Sequence, residues 1–222
     1  MWQKVYDEVK DRNFIVISVA MDSVPGAAEP WIEQAKPTYP VLLDREHRLA
    51  ALYHMVNVPQ AVWIDERGKI VRPTECAGSY DGFRQMDRIT KIMPEETAKI
   101  NAAAKATYAA AVKDWALKGE ASEHAFDPED ARRRIPALTE SQALAHTMFR
   151  LGQALLRQGR TDEGDQWLRR ASELHPDSWC MWRQRAGKDD TGLAALPDFW
   201  ERVDALGERP YHWRVDMKGM PR

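Results

Sequence analysis

Hydrophobic positions first fall on a helical period. Trp2, Val5, Tyr6 and Val9 recur at i, i+3, i+4 and i+7, which predicts an amphipathic helix ending near Asn13. The period then changes. Phe14–Ala20 (FIVISVA) is an unbroken, largely β-branched run, as expected for a strand buried on both faces of a parallel sheet. Ala27–Ala35 reads as a helix with Trp31, Ile32 and Ala35 inward, stopped by Pro37. Tyr39–Leu43 predicts a short strand. Asp44 suits the cap of a helix over Arg45–Met55, with Leu49, Leu52 and Tyr53 on one face. Val58-Pro59 leads an apolar run (Ala61–Ile64), a turn (Asp65–Gly68) and a second strand (Lys69–Val71). That is a β-hairpin pattern, with Gly68 supplying the positive φ of the turn. Asp81–Met93 then predicts a helix with Phe83, Met86, Ile89 and Ile92 as its stripe.

Beyond residue 93 the pattern is helical. Pro94 suits a first helical turn, with Glu95 and Glu96 at the positive end of the helix dipole. Ile100, Ala104, Tyr108, Val112 and Trp115 follow at helical spacing, and Gly119 ends the run. Met148, Leu151, Gly152, Leu155, Gly164, Leu168, Ala171 and Pro176 match a tetratricopeptide-like unit over about 139–176, with Gly159-Arg160 as its turn. One such unit does not bury its own face. It is expected to pack on Pro94–Lys118 and Ser178–Arg185. A last short helix carries Phe199, Trp200, Val203 and Leu206, and the tail after it is extended. The boundary implied is near Pro94, with an α/β part over 1–93 and an α-helical part over 94–222.

Composition narrows the class. With 44% hydrophobic and 30% charged residues, the 222-residue chain suits a globular protein rather than a disordered one. A net charge of −2 gives no bulk attraction to nucleic acid or an anionic membrane. No apolar run reaches the roughly 18–20 residues of a membrane span. The charged N-terminal stretch has no signal-peptide core, so the chain as written reads as cytoplasmic.

The order helix, strand, helix, strand, helix, strand, strand, helix argues for an α/β sheet with right-handed crossovers. Together with V-P before WIDERGKIV, it resembles the second half of a thioredoxin fold over residues 1–92, closest in pattern to TlpA/ResA-like reductases of the redoxin superfamily. Family members carry a strand and a W-C-x-x-C turn before a helix in which the text beginning Met1-Trp2-Gln3-Lys4-Val5-Tyr6 finds its match. The resemblance therefore implies an incomplete thioredoxin-like domain, lacking the first strand and the CxxC. The implied missing strand lies between the partners equivalent to Phe14–Ala20 and Ala61–Ile64. Three outcomes stand open: the two strands pair directly, another chain supplies the strand, or Met1 is an internal start.

The resemblance implies thiol–disulfide oxidoreductase chemistry, with no catalytic residue in this chain. It also implies that Val58 and Pro59 contact an extended peptide, the proline being cis in the family. The alternative is a structural turn that thioredoxin-like folds keep whether active or not. Gln60 stands where family members often have Thr. The two cysteines, Cys76 and Cys180, form neither CxxC nor a zinc pattern. Glu75 beside Cys76 disfavours a thiolate, whereas Arg72 and a helix start at Asp81 would favour one. Cys76 reads mainly as a half-buried structural residue, and Cys180 as packing among helices. His47 and His54 share a helix face and read as surface residues rather than metal ligands. No metal or cofactor is implied. The expected partner is a protein or peptide, and the alternative function is a non-catalytic binding module.

Overall fold

A computed structural model describes residues 1–221. The helices are α1 (Trp2–Val9), α2 (Glu29–Ala35), α3 (Arg48–Leu52), α4 (Glu95–Lys118), α5 (Pro128–Arg133), α6 (Glu140–Arg157), α7 (Thr161–Leu174), α8 (Trp179–Arg183) and α9 (Pro197–Asp204). The strands are β1 (Ser18–Ala20), β2 (Val41–Leu43), β3 (Gln60–Ile64) and β4 (Ile70–Cys76). Two compact units emerge, each discontinuous in sequence. One comprises residues 1–16, 59–135 and 206–222, the other 17–58 and 136–205.

These units differ from the expected division at residue 94. Helix α4 does not start a separate helical part. It packs with α1 and the hairpin, because Tyr108, Ala111 and Val112 share a core with Val5, Val9, Trp63, Val71 and Cys76. The indole N–H of Trp63 donates to the Tyr108 hydroxyl at 2.9 Å, and Trp63 stacks on Trp115 at 5.1 Å. Val215 and Met217 from the tail close the same core.

The hairpin pairs Gln60 with Cys76, Ala61 with Glu75 and Ile64 with Ile70, antiparallel. Strand β4 is longer than predicted and runs on to Cys76. Arg72, on β4, is only 1% exposed. Its guanidinium donates to Glu75 at 2.7 and 2.9 Å and to the carbonyls of His124 (2.6 Å) and Asp216 (2.7 Å). It lies against the rings of Phe126 (4.4 Å) and Trp63 (5.3 Å).

In the other unit β1 pairs with β2 in parallel, Ser18 opposite Val41 and Ala20 opposite Leu43. Among the described residues β1 and β2 form one sheet and β3 and β4 another, so the direct pairing of the two apolar strands is not seen there. Only Ser18–Ala20 of the predicted Phe14–Ala20 strand is paired. The amide of Ser18 donates to the carbonyl of Pro40, and Pro40 has no N–H to extend the ladder. Nor is this run buried on both faces, since Ile15 and Ile17 are each 55% exposed.

Other helical expectations need correction. The segment Asp81–Met93 forms one 3₁₀ turn, Asp81–Gln85. The Asp87 carboxylate accepts from the amides of Ile89 and Thr90, offering the backbone a local alternative to the helix. Ile89 and Ile92 are consequently exposed. In α2 Trp31 and Ala35 face solvent and only Ile32 is half-buried. Helix α3 starts late because Asp44 accepts from the amides of Arg48 (2.9 Å) and Leu49 (2.7 Å), while His47 takes a left-handed φ of 53°.

Helices α6 and α7 form the antiparallel pair that the spacing predicts. Thr139 and Gln142 make a reciprocal capping box at the start of α6. Gly152 and Gly164 let the helices approach: a Cβ at Gly152 would meet the Gly164 carbonyl and the Leu168 side chain at 2.9 Å. Phe149, Leu168, Ala171 and Met181 fill the seam, so α8 is the flanking helix and α4 belongs to the other unit.

Replacing Arg72 by Met leaves the half-buried Glu75 carboxyl without its cation, with the Tyr108 hydroxyl still bonded to it. The expected loss is about 3–5 kcal/mol of unfolding free energy, read from urea titrations. Adding Glu75→Gln to that variant is expected to restore part of it. An unchanged midpoint for Arg72→Met alone would contradict the role given to this residue.

Candidate functional site

The end of the hairpin brings together Pro59, Cys76 and residues that lie far away in sequence. Pro59 is exposed at the head of β3, and its carbonyl accepts from the amide of Ala77 at 3.2 Å. Gln60 and Cys76 are direct cross-strand partners. The Cys76 sulfur lies 3.5 Å from Nδ1 of His212 in the tail. The Asp81 carboxylate accepts from the amides of His212 (2.9 Å) and Tyr211 (3.2 Å). Arg84 donates to the carbonyls of Gly207 (2.7 Å) and Arg209 (3.0 Å), strapping the same tail to the 3₁₀ turn. The turn after Cys76 passes close over α4. At Gly78, with φ +73°, a Cβ would lie 2.9 Å from Cβ of Tyr108.

A Cys–His contact is the geometry of an activated thiol, but here the environment works against it. Cys76 is 2% exposed, and burial, followed by the Glu75 and Asp81 carboxylates, pushes its thiol up to about 12. Both influences expected to favour a thiolate fail. Arg72 is committed to Glu75, and the helix expected at Asp81 is a single turn whose own carboxylate repels a second negative charge. Cys180 is likewise pushed up to about 12 by burial, which outweighs the nearby Arg183. At neutral pH both thiols are therefore protonated and shielded. The expectation that Cys76 is half-buried understates its burial.

Val58 lies in the other unit and is 43% exposed. Its amide donates to Oδ1 of Asn57 at 2.9 Å, and that oxygen also accepts from Arg183 at 2.9 Å. An incoming peptide strand would have to displace Asn57 to receive that N–H.

Sequence reasoning missed His212 as a neighbour of Cys76 and took Asp81 for a helix start that favours a thiolate, whereas its carboxylate disfavours one. His212 lies 136 residues from Cys76, and no spacing rule connects them. It also placed His47 on the surface, whereas His47 is 4% exposed. Among the described residues, no group of three or more His, Cys, Asp or Glu side chains is arranged to hold a metal ion, and no helix is long and apolar enough to cross a membrane.

Both cysteines are expected to react with an aromatic disulfide reagent at neutral pH at least 100-fold more slowly than a free thiol, and at the free-thiol rate in denaturant. Rapid labelling of the folded chain that Cys76→Ser abolishes would show that this thiol is reactive after all.

No curated protein and no solved structure matches the chain. The model of the AhpC/TSA family matches residues 1–72, from α1 through the first part of β4, and this supports a redoxin, thioredoxin-like kinship for that stretch.

Proposed function

We propose that this chain is a thioredoxin-like protein of the redoxin superfamily, TlpA-like in its V-P-led hairpin, whose family chemistry is thiol–disulfide oxidoreduction but whose own two thiols do not perform it. The observation that carries this reading is the state of the thiols. That chemistry needs a thiolate to attack a partner's disulfide, and a CxxC to release the mixed disulfide. The 222 residues hold no CxxC, and burial keeps Cys76 and Cys180 protonated. The family match over residues 1–72 supports the scaffold. Exposed Pro59 at the head of β3, with Val58 before it, is the peptide-contact edge in this reading, and a cis bond there would follow the family.

A second reading is a non-catalytic protein- or peptide-binding module. What favours it is the two-stranded β1–β2 sheet. Ile17, Leu42 and Leu43 are exposed, and β1 is paired on one side only. An unpaired strand edge of this kind accepts an extended partner segment. In this reading α6 and α7 form a tetratricopeptide-like unit, and the close passage of Gly152 by Gly164 supports that comparison.

Purified residues 1–222 are expected to leave the reduction of insulin disulfides by dithiothreitol at the rate of the buffer control. Turnover at a thioredoxin-like rate, lost in Cys76→Ser, would refute the first reading. Under the second, the chain self-associates or retains a partner in light-scattering chromatography, and Val58→Lys or Val19→Lys abolishes the association. A monodisperse monomer that binds no extended peptide would exclude it.

A further inference from the structure

Four histidines of the unit built from residues 17–58 and 136–205 gather around one region. His47 precedes α3, and His54 follows it with a left-handed φ of 54°. His146 is on α6, and His175 caps the end of α7. The His146 and His175 rings are 5.8 Å apart, edge to face, and the His47 ring meets Phe149 of α6 at 5.0 Å. His47 and His175 are each 4% exposed. Neither ring nitrogen of His47 has a hydrogen-bond partner among the described residues.

A buried imidazole without partners is tolerated when neutral and costly when charged. The surrounding groups do not offset that cost. Asp44 and Asp22 favour a charged His47 less than burial opposes it, the Asp44 carboxylate capping α3 and that of Asp22 accepting from the Val24 amide. Asp177 is near His175, while Arg150 on α6 and the other three histidines add like charge at His146. Glu46 is engaged with Arg157 and Arg48. The remaining ties between the two segments include Gln153 to the Ser23 hydroxyl, Gln153 to the Arg45 carbonyl, and Cys180 N–H to the Val56 carbonyl.

We propose that His47, His146 and His175 form an acid-sensitive lock, in which neutral imidazoles hold the 17–58 segment against α6 and α7 and their protonation releases it, uncovering the apolar surface around Phe149. Burial holds His47 and His146 down at about 4, from an ordinary 6.5, and lowers His175 as well. A released segment therefore binds protons first. The closed form has its full advantage above about pH 6.5 and loses it progressively toward pH 4.

The test is hydrogen exchange of the full chain, read by mass spectrometry from pH 7.5 to 4.5 and corrected for intrinsic exchange. Protection over residues 41–58 and 141–175 is expected to fall with pH, while that of α4 and the β3–β4 hairpin persists. His47→Phe removes one titrating group from the cluster. At pH 5 it is expected to reduce the open population roughly tenfold or more relative to the parent. His146→Gln is expected to act in the same direction and carries the test if His47→Phe fails to fold at neutral pH. Unchanged protection down to pH 4.5, simultaneous loss in the hairpin, or variants that open at the parent's pH would overturn the proposal.

Discussion

The buried Arg72 guanidinium is the constraint on which the hairpin's unit depends. It lies where three chain segments meet, bonding Glu75 of its own strand, the His124 carbonyl before α5 and the Asp216 carbonyl in the tail. The flat cation fits between Trp63 and Phe126, and its donors are met by fixed acceptors. A buried ion pair adds little net stability over a well-packed apolar substitute, but it is unforgiving of rearrangement. Its value here is specificity. The Asp216 carbonyl on Arg72 is one of the ties that hold the tail, which brings His212 to Cys76.

That arrangement also explains why a cysteine beside a histidine has its thiol pKa raised rather than lowered. The positive charge nearest Cys76 is spent on Glu75, whose own carboxyl burial pushes upward even as Arg72 pulls it down. Asp81 spends its acceptors on tail amides and adds negative charge beside the thiol. The backbone hydrogen bond from Trp213 favours the thiolate, but burial and the Glu75 and Asp81 carboxylates outweigh it.

Local signals were legible where one side chain decides the outcome. Gly68 at φ +75° makes the hairpin turn, Asp44 caps α3, Gly119 ends α4, and the Gly152 spacing places the α6–α7 crossing. The pattern misled where tertiary partners decide. FIVISVA reads as a central strand because a β-branched run does not say whether a neighbour exists on each side, and here only Ser18–Ala20 finds one. Asp81–Met93 has a helical stripe, yet Asp87 captures the backbone at the second turn. The candidate site was half legible. Pro59 stood out at the head of the hairpin and Cys76 as a lone thiol beyond its predicted end, but the pairing of Cys76 with Gln60, the contact with His212 and the burial of His47 arise from contacts that leave no trace in spacing.

The two units also solve the same problem in opposite ways. A polar group taken out of water needs either a full set of partners or neutrality. Arg72 stays charged and is surrounded by a carboxylate, two carbonyls and two aromatic faces, so pH has no hold on the cation itself. His47 takes the other course, with an apolar ring contact and no hydrogen bond, and this works only while the ring is uncharged. The guanidinium cannot be neutralised near neutral pH, whereas the imidazole is one proton from being an uncompensated buried charge. The difference in side-chain chemistry therefore makes one unit insensitive to mild acid at its central residue and the other sensitive at its own. If the histidine-containing unit serves as a binding surface, acidity and not redox state is the variable its packing responds to, because its thiol, Cys180, is shielded and the ring of His47 is buried without a hydrogen bond.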